Sequence, residues 1–285
     1  MNTHKRVSLV IPVYNEAERI HDCLAAIAAQ SHKPFEVIVV DNNSTDGSAA
    51  IARAFPFVTL LQEPKQGVVH ARDRGFNAAR GDIIGRIDAD TLIPTNWIAT
   101  VQRLFNEDSD LDAVSGAMLY RDVSLAQSVN RVDACWRARM ARLLGREVGL
   151  QGASMALRRS VWQAVRGEVC HEKGLHEDLD FCIHATQLGY TMRYDPRLVA
   201  SVSFRQADYR LGSFRRYALL CPQTYKYHNR RCHRKMYQLI AFVLVMYPVI
   251  KTLSKGYDAQ LGRFSLAKLL GEPAVPRVNP ATFVD

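Results

Sequence analysis

Four short apolar segments alternate with three helix-like segments over the first 90 residues, and this alternation constrains the fold most strongly. The predicted strands are Val7 to Val13, Glu36 to Val40, Val58 to Leu61 and Ile83 to Ile87. The predicted helices are Ile20 to Ala29, Ser48 to Phe55 and Val69 to Ala79. Continuous apolar strands joined through helices form parallel sheets that are buried on both faces. The pattern therefore predicts an α/β fold with a right-handed, doubly wound parallel sheet.

Polar loops follow three of these strands. The first strand runs into Tyr14 to Glu16, the second into Asp41 to Asp46, and the fourth into Asp88 to Asp90. Parallel strands end at the same edge of a sheet, and open α/β sheets bind their ligands at that edge. We therefore expect the three loops to converge on one crevice.

Asp88 and Asp90 form an acidic pair directly after a buried strand and before a stop at Pro94. The D-x-D spacing alone carries little weight, because it also occurs at Asp108/Asp110, Asp110/Asp112 and Asp178/Asp180. Two carboxylates at the ligand edge can share a hard divalent cation, and that cation would hold a diphosphate. A solvated turn is the alternative interpretation, and spacing does not decide between the two.

Two common phosphate-binding motifs are absent from the sequence. No G-x-G-x-x-G follows the first strand, and G-x-x-x-x-G-K-[ST] occurs nowhere. Dinucleotide-binding and P-loop folds are therefore disfavoured. A diphosphate bound here would be held by a metal ion rather than by a glycine-rich loop.

The order of the elements changes after Asp90. We predict further helices at Asn96 to Phe105, Ala126 to Leu144 and Val161 to Val165. Another helix opens within Gly174 to Phe181 and runs to Leu188, where Gly189 ends it. Further strands are predicted at Ala113 to Leu119, after Gln151, and at Thr191 to Tyr194.

Basic residues exceed acidic residues by 37 to 28, which gives a net charge of +9 and implies an anionic partner. Residues 210–235 contain eight basic and no acidic residues, interleaved with aromatic ones. Residues 239–250 are apolar but too few for the ~20 that span a bilayer. We expect peripheral membrane contact through residues 210–250. The alternative is a basic surface helix followed by a buried core helix. No nucleic-acid partner is expected, because no recognised nucleic-acid-binding module is present.

The six cysteines contain no C-x-x-C pair. A zinc cluster of Cys221, His228, Cys232 and His233 fits no common spacing, so scattered reduced thiols are the better interpretation. Reduced thiols indicate a reducing compartment, and the first residues lack the apolar core of a signal peptide. We therefore expect a cytoplasmic protein that associates peripherally with the membrane face.

Five short motifs occur in order between residues 7 and 195. They are VIPVYNE (10–16), VVDNNSTDG (39–47), ARDRG (71–75), IDAD (87–90) and ED (177–178). Together they resemble the family 2 glycosyltransferases of GT-A fold. The resemblance implies a GT-A-like, mixed but mainly parallel sheet flanked by helices over residues 1–208. Residues 1–95 would form the nucleotide-sugar-binding half and 96–208 the acceptor half, with a helical, basic C-terminal extension at 209–285.

The resemblance also implies a donor-nucleotide site. By it, Pro12, Tyr14 and Glu16 line the pocket for the base and ribose. Asp41 would contact the base, and Arg72 would lie near the nucleotide.

The remaining roles implied by the resemblance concern metal and catalysis. Asp88 would lie near the ribose and the metal, and Asp90 would ligate the Mg²⁺ or Mn²⁺ that bridges the diphosphate. Asp178 is similar to the family's catalytic base. Residues beside the donor sugar and the acceptor would be Gln151, Gly152 and Glu177.

Three positions depart from the family pattern. Asp73 stands where Asn is usual, His184 stands where Arg is common, and no His occurs near Ser203. A third protein ligand for the metal is therefore not identified. The Gln-x-x-Arg-Trp signature of processive synthases is also absent, which indicates transfer of a single sugar.

We therefore expect an inverting, metal-assisted transferase that moves one sugar from a nucleotide-diphosphate sugar, preferably a UDP-sugar, to a glycan or lipid-linked acceptor. A nucleotidyltransferase is one alternative, but it usually needs a Gly-rich basic loop after the first strand. A non-catalytic nucleotide-sugar-binding protein is another. The carboxylates of the IDAD and ED motifs argue against it, whereas Asp73 and His184 keep it open.

Overall fold

The structure is a computed structural model that describes residues 5–121, 130–131, 133–135, 150–203, 211–258 and 263–264. The chain divides into two compact units. The first unit comprises Met1–Leu119, Asp133–His171 and Glu177–Val202. The second comprises Tyr120–Val132, Glu172–His176 and Ser203–Asp285. The predicted division into domains at residues 95 and 208 stays a prediction.

A seven-stranded sheet organises the first unit, with the strand order β3-β2-β1-β4-β6-β5-β7. The strands are β1 (Val7–Val13), β2 (Glu36–Asp41), β3 (Val58–Gln62), β4 (Ile83–Arg86), β5 (Ala113–Tyr120), β6 (Met155–Arg158) and β7 (Met192–Val202). The described helices of this unit are α1 (Ile20–Ala28), α2 (Ser48–Arg53), α3 (Val68–Ala78), α4 (Trp97–Glu107), α5 (Arg159–Val165) and α6 (Glu177–Gln187).

The sheet is parallel in its first half and mixed beyond it. β1 pairs in parallel with β2 and β4, and β2 pairs in parallel with β3, which confirms the predicted parallel arrangement. β6 then pairs antiparallel with both β4 and β5. The register sets Arg86 opposite Met155, so the loop that enters β6 lies beside the end of β4.

Both faces of the sheet are covered by apolar side chains, as the continuous apolar strands predicted. Along β1, Leu9 and Ile11 belong to one buried cluster and Val10 to the other, because successive strand side chains point to opposite faces. Helix α3 packs directly on this strand. A Cβ atom at Gly75 would lie 2.3 Å from Cγ1 of Val10, so only glycine permits the observed spacing.

The last strand is longer than predicted, whereas α6 ends close to its predicted end. The last strand was predicted at Thr191 to Tyr194, but it extends over Met192–Val202 and contains Pro196. The prediction therefore ended the strand too early. Pro196 is tolerated because β7 is the last strand in the strand order, and an edge strand accommodates proline. Gly189 follows α6 with a φ of +89°, as expected for a helix terminator. The helix predicted at Ala126 to Leu144 lies largely outside the described residues.

The second unit contains the two helices α7 (Leu211–Tyr227) and α8 (His233–Gly256), followed by β8 (Tyr257–Asp258) and β9 (Arg263–Phe264). Most of the described part of the predicted C-terminal extension is therefore helical, whereas most residues after Asp258 lie outside the described residues. Phe214 and Ala218 of α7 pack with Tyr247 of α8, and the rings of Phe214 and Tyr247 stack with centroids 3.8 Å apart. Within the described residues, each helix is too short or too polar to cross a membrane.

Candidate active site

The loops after β1 and β2 are joined by hydrogen bonds. The Asn15 N–H donates to Oγ of Ser44 at 3.1 Å, and Asn15 Oδ1 accepts from the Thr45 N–H at 2.8 Å. The Ala17 N–H donates to Oδ2 of Asp46 at 2.9 Å. Asn15 adopts a φ of +53°, a conformation that asparagine tolerates better than most residues. These contacts bring two of the three predicted loops together.

Four of the residues predicted to contact the nucleotide lie at the ends of β1 and β2 or in the loop after β1. Pro12 and Tyr14 are half-buried at the end of β1 and in the loop after it. Asp41 ends β2, is 3% exposed, and accepts the Ser44 N–H at 3.2 Å through Oδ1. Glu16 is also buried, and its carbonyl accepts the first backbone hydrogen bond of α1, from Ile20. The structure groups these positions, and their contacts with a nucleotide stay predictions.

A buried arginine connects the acidic residues that the sequence places far apart. Arg86 is the last residue of β4, and its side chain is 2% exposed. Its Nη1 lies 2.5 Å from Oδ1 of Asp178, and its Nη2 lies 3.2 Å from Oε1 of Glu177 and 3.4 Å from Oδ1 of Asp88. Burial alone would lower the pKa of Arg86, but Asp178, Asp88 and Glu177 raise it, so the guanidinium stays charged.

Arg86 was missed in the sequence, although one signal was present. It interrupts an otherwise apolar strand immediately before the acidic pair. A buried arginine requires a counter-charge, and the nearest candidates in sequence were Asp88 and Asp90. Its strongest partner, Asp178, lies 92 residues away and could not be identified from spacing.

Gly152 holds the second oxygen of Asp178. Its N–H donates to Asp178 Oδ2 at 2.7 Å. A Cβ atom at Gly152 would lie 2.3 Å from Cζ of Arg86, so the guanidinium occupies the space that a side chain would need. Neighbouring Gln151 donates its N–H to Ser115 Oγ at 3.1 Å. Its Oε1 is buried and has no hydrogen-bond partner among the described residues.

Asp88 and Asp90 flank this cluster. The Asp88 side chain is 44% exposed, whereas Asp90 is 7% exposed. The pKa of Asp88 is raised to about 6, because the protein atoms around its carboxylate partly displace water and the carboxylates of Asp90, Asp178 and Glu177 repel its charge, although Arg86 opposes the rise. Three carboxylates therefore contact one guanidinium, and Asp90 lies close enough to Asp88 to influence its pKa. An excess of carboxylate oxygens suits a hard divalent cation such as Mg²⁺ or Mn²⁺.

Arg72 is hydrogen-bonded to the backbone of Glu177, the first residue of α6. It is fully buried, and its Nη1 donates to the Glu177 carbonyl at 2.9 Å. Its Nε and Nη2 lie 2.8 and 2.7 Å from Oδ1 of Asp73. Asp73, which stands where the family usually has Asn, is thus the counter-ion of a buried cation. The predicted contact of Arg72 with a nucleotide stays a prediction.

Relatives of known family match the chain. Residues 8–165, more than half of the chain, match the family model described as Glycosyl transferase family 2. Glycosyltransferase AglE of Haloferax volcanii is 28% identical over 195 residues, which cover 66% of this chain and 64% of AglE. The undecaprenyl-phosphate 4-deoxy-4-formamido-L-arabinose transferase of Serratia proteamaculans is 29% identical over 187 residues, 59% of this chain and 53% of that protein. The chain thus spans between half and two thirds of the length of these two relatives.

A solved structure shares the fold. The mannosyltransferase PcManGT from Pyrobaculum calidifontis, in complex with GDP-Man and Mn²⁺, superposes with a TM-score of 0.60. The match covers 89% of this chain and 73% of PcManGT at 23% identity, which supports the shared GT-A fold. Because the family model covers most of the sheet-forming unit and the fold agrees with it, the chain belongs to glycosyl transferase family 2.

Proposed function

We propose that the protein is an inverting, metal-assisted glycosyltransferase that moves one sugar from a nucleoside-diphosphate sugar to an acceptor hydroxyl. One observation carries the proposal. Asp178, the candidate base, and Asp88, of the candidate cation-binding pair, contact the same buried guanidinium of Arg86. A single displacement needs its base close to the cation that neutralises the leaving diphosphate, and this cluster brings the candidate base and a candidate cation ligand together.

The donor would bind at the edge formed by the loops after β1 and β2. Pro12, Tyr14, Glu16 and Asp41 line this edge, and in this proposal they contact the base and the ribose. PcManGT, which has the same fold, is known with GDP-Man bound. A UDP-sugar remains the preferred donor from the sequence, so both uridine and guanosine donors belong in the test.

Asp88 and Asp90 would hold the divalent cation. Their oxygen ligands and the local excess of carboxylates fit Mg²⁺ or Mn²⁺, and PcManGT is known with Mn²⁺. When bound, such a cation neutralises the charge of a departing diphosphate.

Asp178 would accept the proton of the acceptor hydroxyl. Arg86 and Gly152 each donate to one oxygen of the carboxylate, which leaves a second lone pair on each oxygen. In this proposal, one of these lone pairs accepts the incoming hydroxyl. The two contacts also fix the orientation of the carboxylate. Attack on the face opposite the leaving group inverts the anomeric configuration. Oε1 of Gln151, which has no hydrogen-bond partner within the described part of the chain, would accept a hydrogen bond from a sugar hydroxyl, in line with the residue's predicted position beside the donor sugar.

A glycan or lipid-linked acceptor is the proposed second substrate. The Serratia relative is named for action on undecaprenyl phosphate, a lipid carrier. In the second unit, the α7 residues Arg215, Arg216 and Lys226 are exposed, and Tyr227, which follows Lys226, is 51% exposed. Exposed cations next to an exposed aromatic ring suit an anionic membrane surface. In a sedimentation assay, the protein should therefore pellet with anionic vesicles at low salt and stay in the supernatant at high salt. A protein that does not pellet with the vesicles at low salt would contradict the membrane contact.

The test of function is incubation with a panel of UDP- and GDP-sugars in the presence of Mn²⁺. Sugar transfer or slow donor hydrolysis supports the proposal. Release of pyrophosphate from a nucleoside triphosphate and a sugar 1-phosphate, offered in a parallel incubation, would instead indicate a nucleotidyltransferase. Donor binding without turnover would indicate a non-catalytic protein.

Two variants separate the proposed roles. Asp178→Asn should lower turnover by about 10² to 10⁴ while donor binding survives, because a general base contributes on that order. Asp90→Ala should abolish the Mn²⁺-dependent part of donor binding measured by calorimetry. The matched control is Asp110→Ala, which removes an exposed carboxylate from another D-x-D sequence. Wild-type turnover in Asp178→Asn would show that the base is another group.

A further inference from the structure

Three metal-ligating side chains meet in the first unit, outside the proposed active site. They are Cys170, in the segment before α6, and Asp180 and His184 on α6. Their potential ligand atoms all lie within 4.8 Å of one another. Cys170 Sγ lies 3.5 Å from Nε2 of His184, and the same nitrogen lies 3.5 Å from Oδ1 of Asp180.

These separations fit a cation between the groups better than a direct ion pair. Zinc bonds of about 2.3 Å to sulfur and about 2.0–2.2 Å to nitrogen and oxygen, at tetrahedral angles, place the ligands about 3.6 Å (S···N) and about 3.4 Å (N···O) apart. A direct hydrogen bond between histidine and a carboxylate would shorten the N···O distance to about 2.7–3.2 Å. The observed 3.5 Å between Asp180 and His184 is longer than that and close to the tetrahedral value.

The local structure holds the three groups in place. Asp180 and His184 are one helical turn apart on the same face of α6. The Cys170 N–H donates to Oδ2 of Asp180 at 2.9 Å, so one carboxylate oxygen fixes the loop while the other lies near the imidazole. Asp180 is 1% exposed, whereas Cys170 and the 14% exposed side chain of His184 are only partly buried, so the cluster is partly accessible to solvent. A ligating carboxylate that also accepts a backbone hydrogen bond is a common feature of metal sites.

We propose that Cys170, Asp180 and His184 form a zinc site that is separate from the Asp88–Asp90 pair. The three side chains supply three ligands, and a water molecule or another small ligand completes the tetrahedron. The thiol of Cys170 releases its proton to solvent when it binds the metal. Thiolate and imidazole favour Zn²⁺, whereas the oxygen ligands of Asp88 and Asp90 favour Mg²⁺ or Mn²⁺. The site would clamp the loop at Cys170 to the helix whose first turn carries Asp178.

Metal titration of the full, untagged chain tests the proposal after chelator treatment and dialysis. We expect one Zn²⁺ per chain in competition with a chromophoric chelator, and excess Mn²⁺ should not displace it. Co²⁺ in place of Zn²⁺ should give a thiolate-to-cobalt charge-transfer band. Cys170→Ser should remove that band. Cys170→Ser and His184→Gln should each weaken Zn²⁺ binding by at least about 10- to 100-fold, which is the loss typical when a residue that only hydrogen-bonds a metal ligand is replaced. The control Cys135→Ser, which removes an exposed thiol, should bind as wild type.

Three results would overturn the proposal: no Zn²⁺ bound by the wild type, unchanged binding in Cys170→Ser, or loss of binding in Cys135→Ser. Circular dichroism establishes that each variant is folded. If Cys170→Ser does not fold, the wild-type protein decides alone, because a Co²⁺ complex without a thiolate band excludes Cys170 as a ligand. The metal content is measured without substrate, so the result is independent of the proposed transferase activity.

Discussion

Replacement of Arg86 by methionine removes the guanidinium that joins the acidic cluster and retains a side chain of similar length. Asp178 and Glu177, whose side chains are 6% and 13% exposed, would lose their ion pair with it. Removal of one partner from a buried ion pair destabilises a protein by about 3–5 kcal/mol, because the remaining charge stays buried without compensation. For a protein of roughly this size, that loss lowers Tm by about 6–20 °C, at about 2–4 °C per kcal/mol.

Thermal unfolding followed by circular dichroism at pH 7, without divalent cations, measures the effect. The matched control is Arg197→Met. Arg197 also donates to two carboxylates, those of Asp195 and Glu107, but its side chain is 45% exposed. An exposed pair of this kind contributes about 0–1 kcal/mol. Equal Tm changes in the two variants would refute the reasoning that Arg86 is the essential counter-charge. Adding Asp178→Asn to Arg86→Met should recover part of the lost stability, because it removes one of the uncompensated charges.

Two further predictions concern the packing and charge of the sheet. Gly75→Ala should lower the free energy of unfolding by about 1–3 kcal/mol, because the new methyl group would overlap Val10. The control Gly167→Ala should have little effect, because its Cβ would meet open space. Chemical denaturation of the two variants measures the difference. Burial alone would raise the pKa of Glu36, but hydrogen bonds from Ser8 and from Arg80 lower that pKa below its usual 4.5. The carboxylate therefore stabilises the fold above about pH 4.5 and loses that effect as pH falls through the lowered pKa, so the Tm difference between wild type and Glu36→Gln should be larger at pH 7 than in acid. A difference that is constant with pH would contradict this assignment.

The first half of the fold was predictable because its information is local. Each strand of β1 to β4 is an apolar run, and helix α1 shows buried residues at i, i+3, i+4 and i+7 from Ile20. These periodicities do not depend on distant partners. The five motifs then identified the family. The last of them opens α6, and the start of that helix places Asp178 next to Arg86 at the end of β4.

The remaining features depend on contacts between distant residues. The sequence does not show that Arg86 pairs with Asp178, or that Gly152 must be glycine because Arg86 fills the space beside it. The sequence also does not show that β7 lies at the edge of the sheet, where a strand can extend through Pro196. The proximity of Cys170 to His184 depends on how a loop folds back on a helix, which no spacing template describes.

A crystal structure with Mn²⁺ and the preferred nucleotide sugar, with manganese located by anomalous scattering, tests the central claim most directly. We predict a manganese peak at Asp88 and Asp90 beside the diphosphate, with the Asp178 carboxylate facing the anomeric carbon and still held by Arg86. A manganese peak at another set of carboxylates, or an Asp178 carboxylate directed away from the sugar, would contradict it.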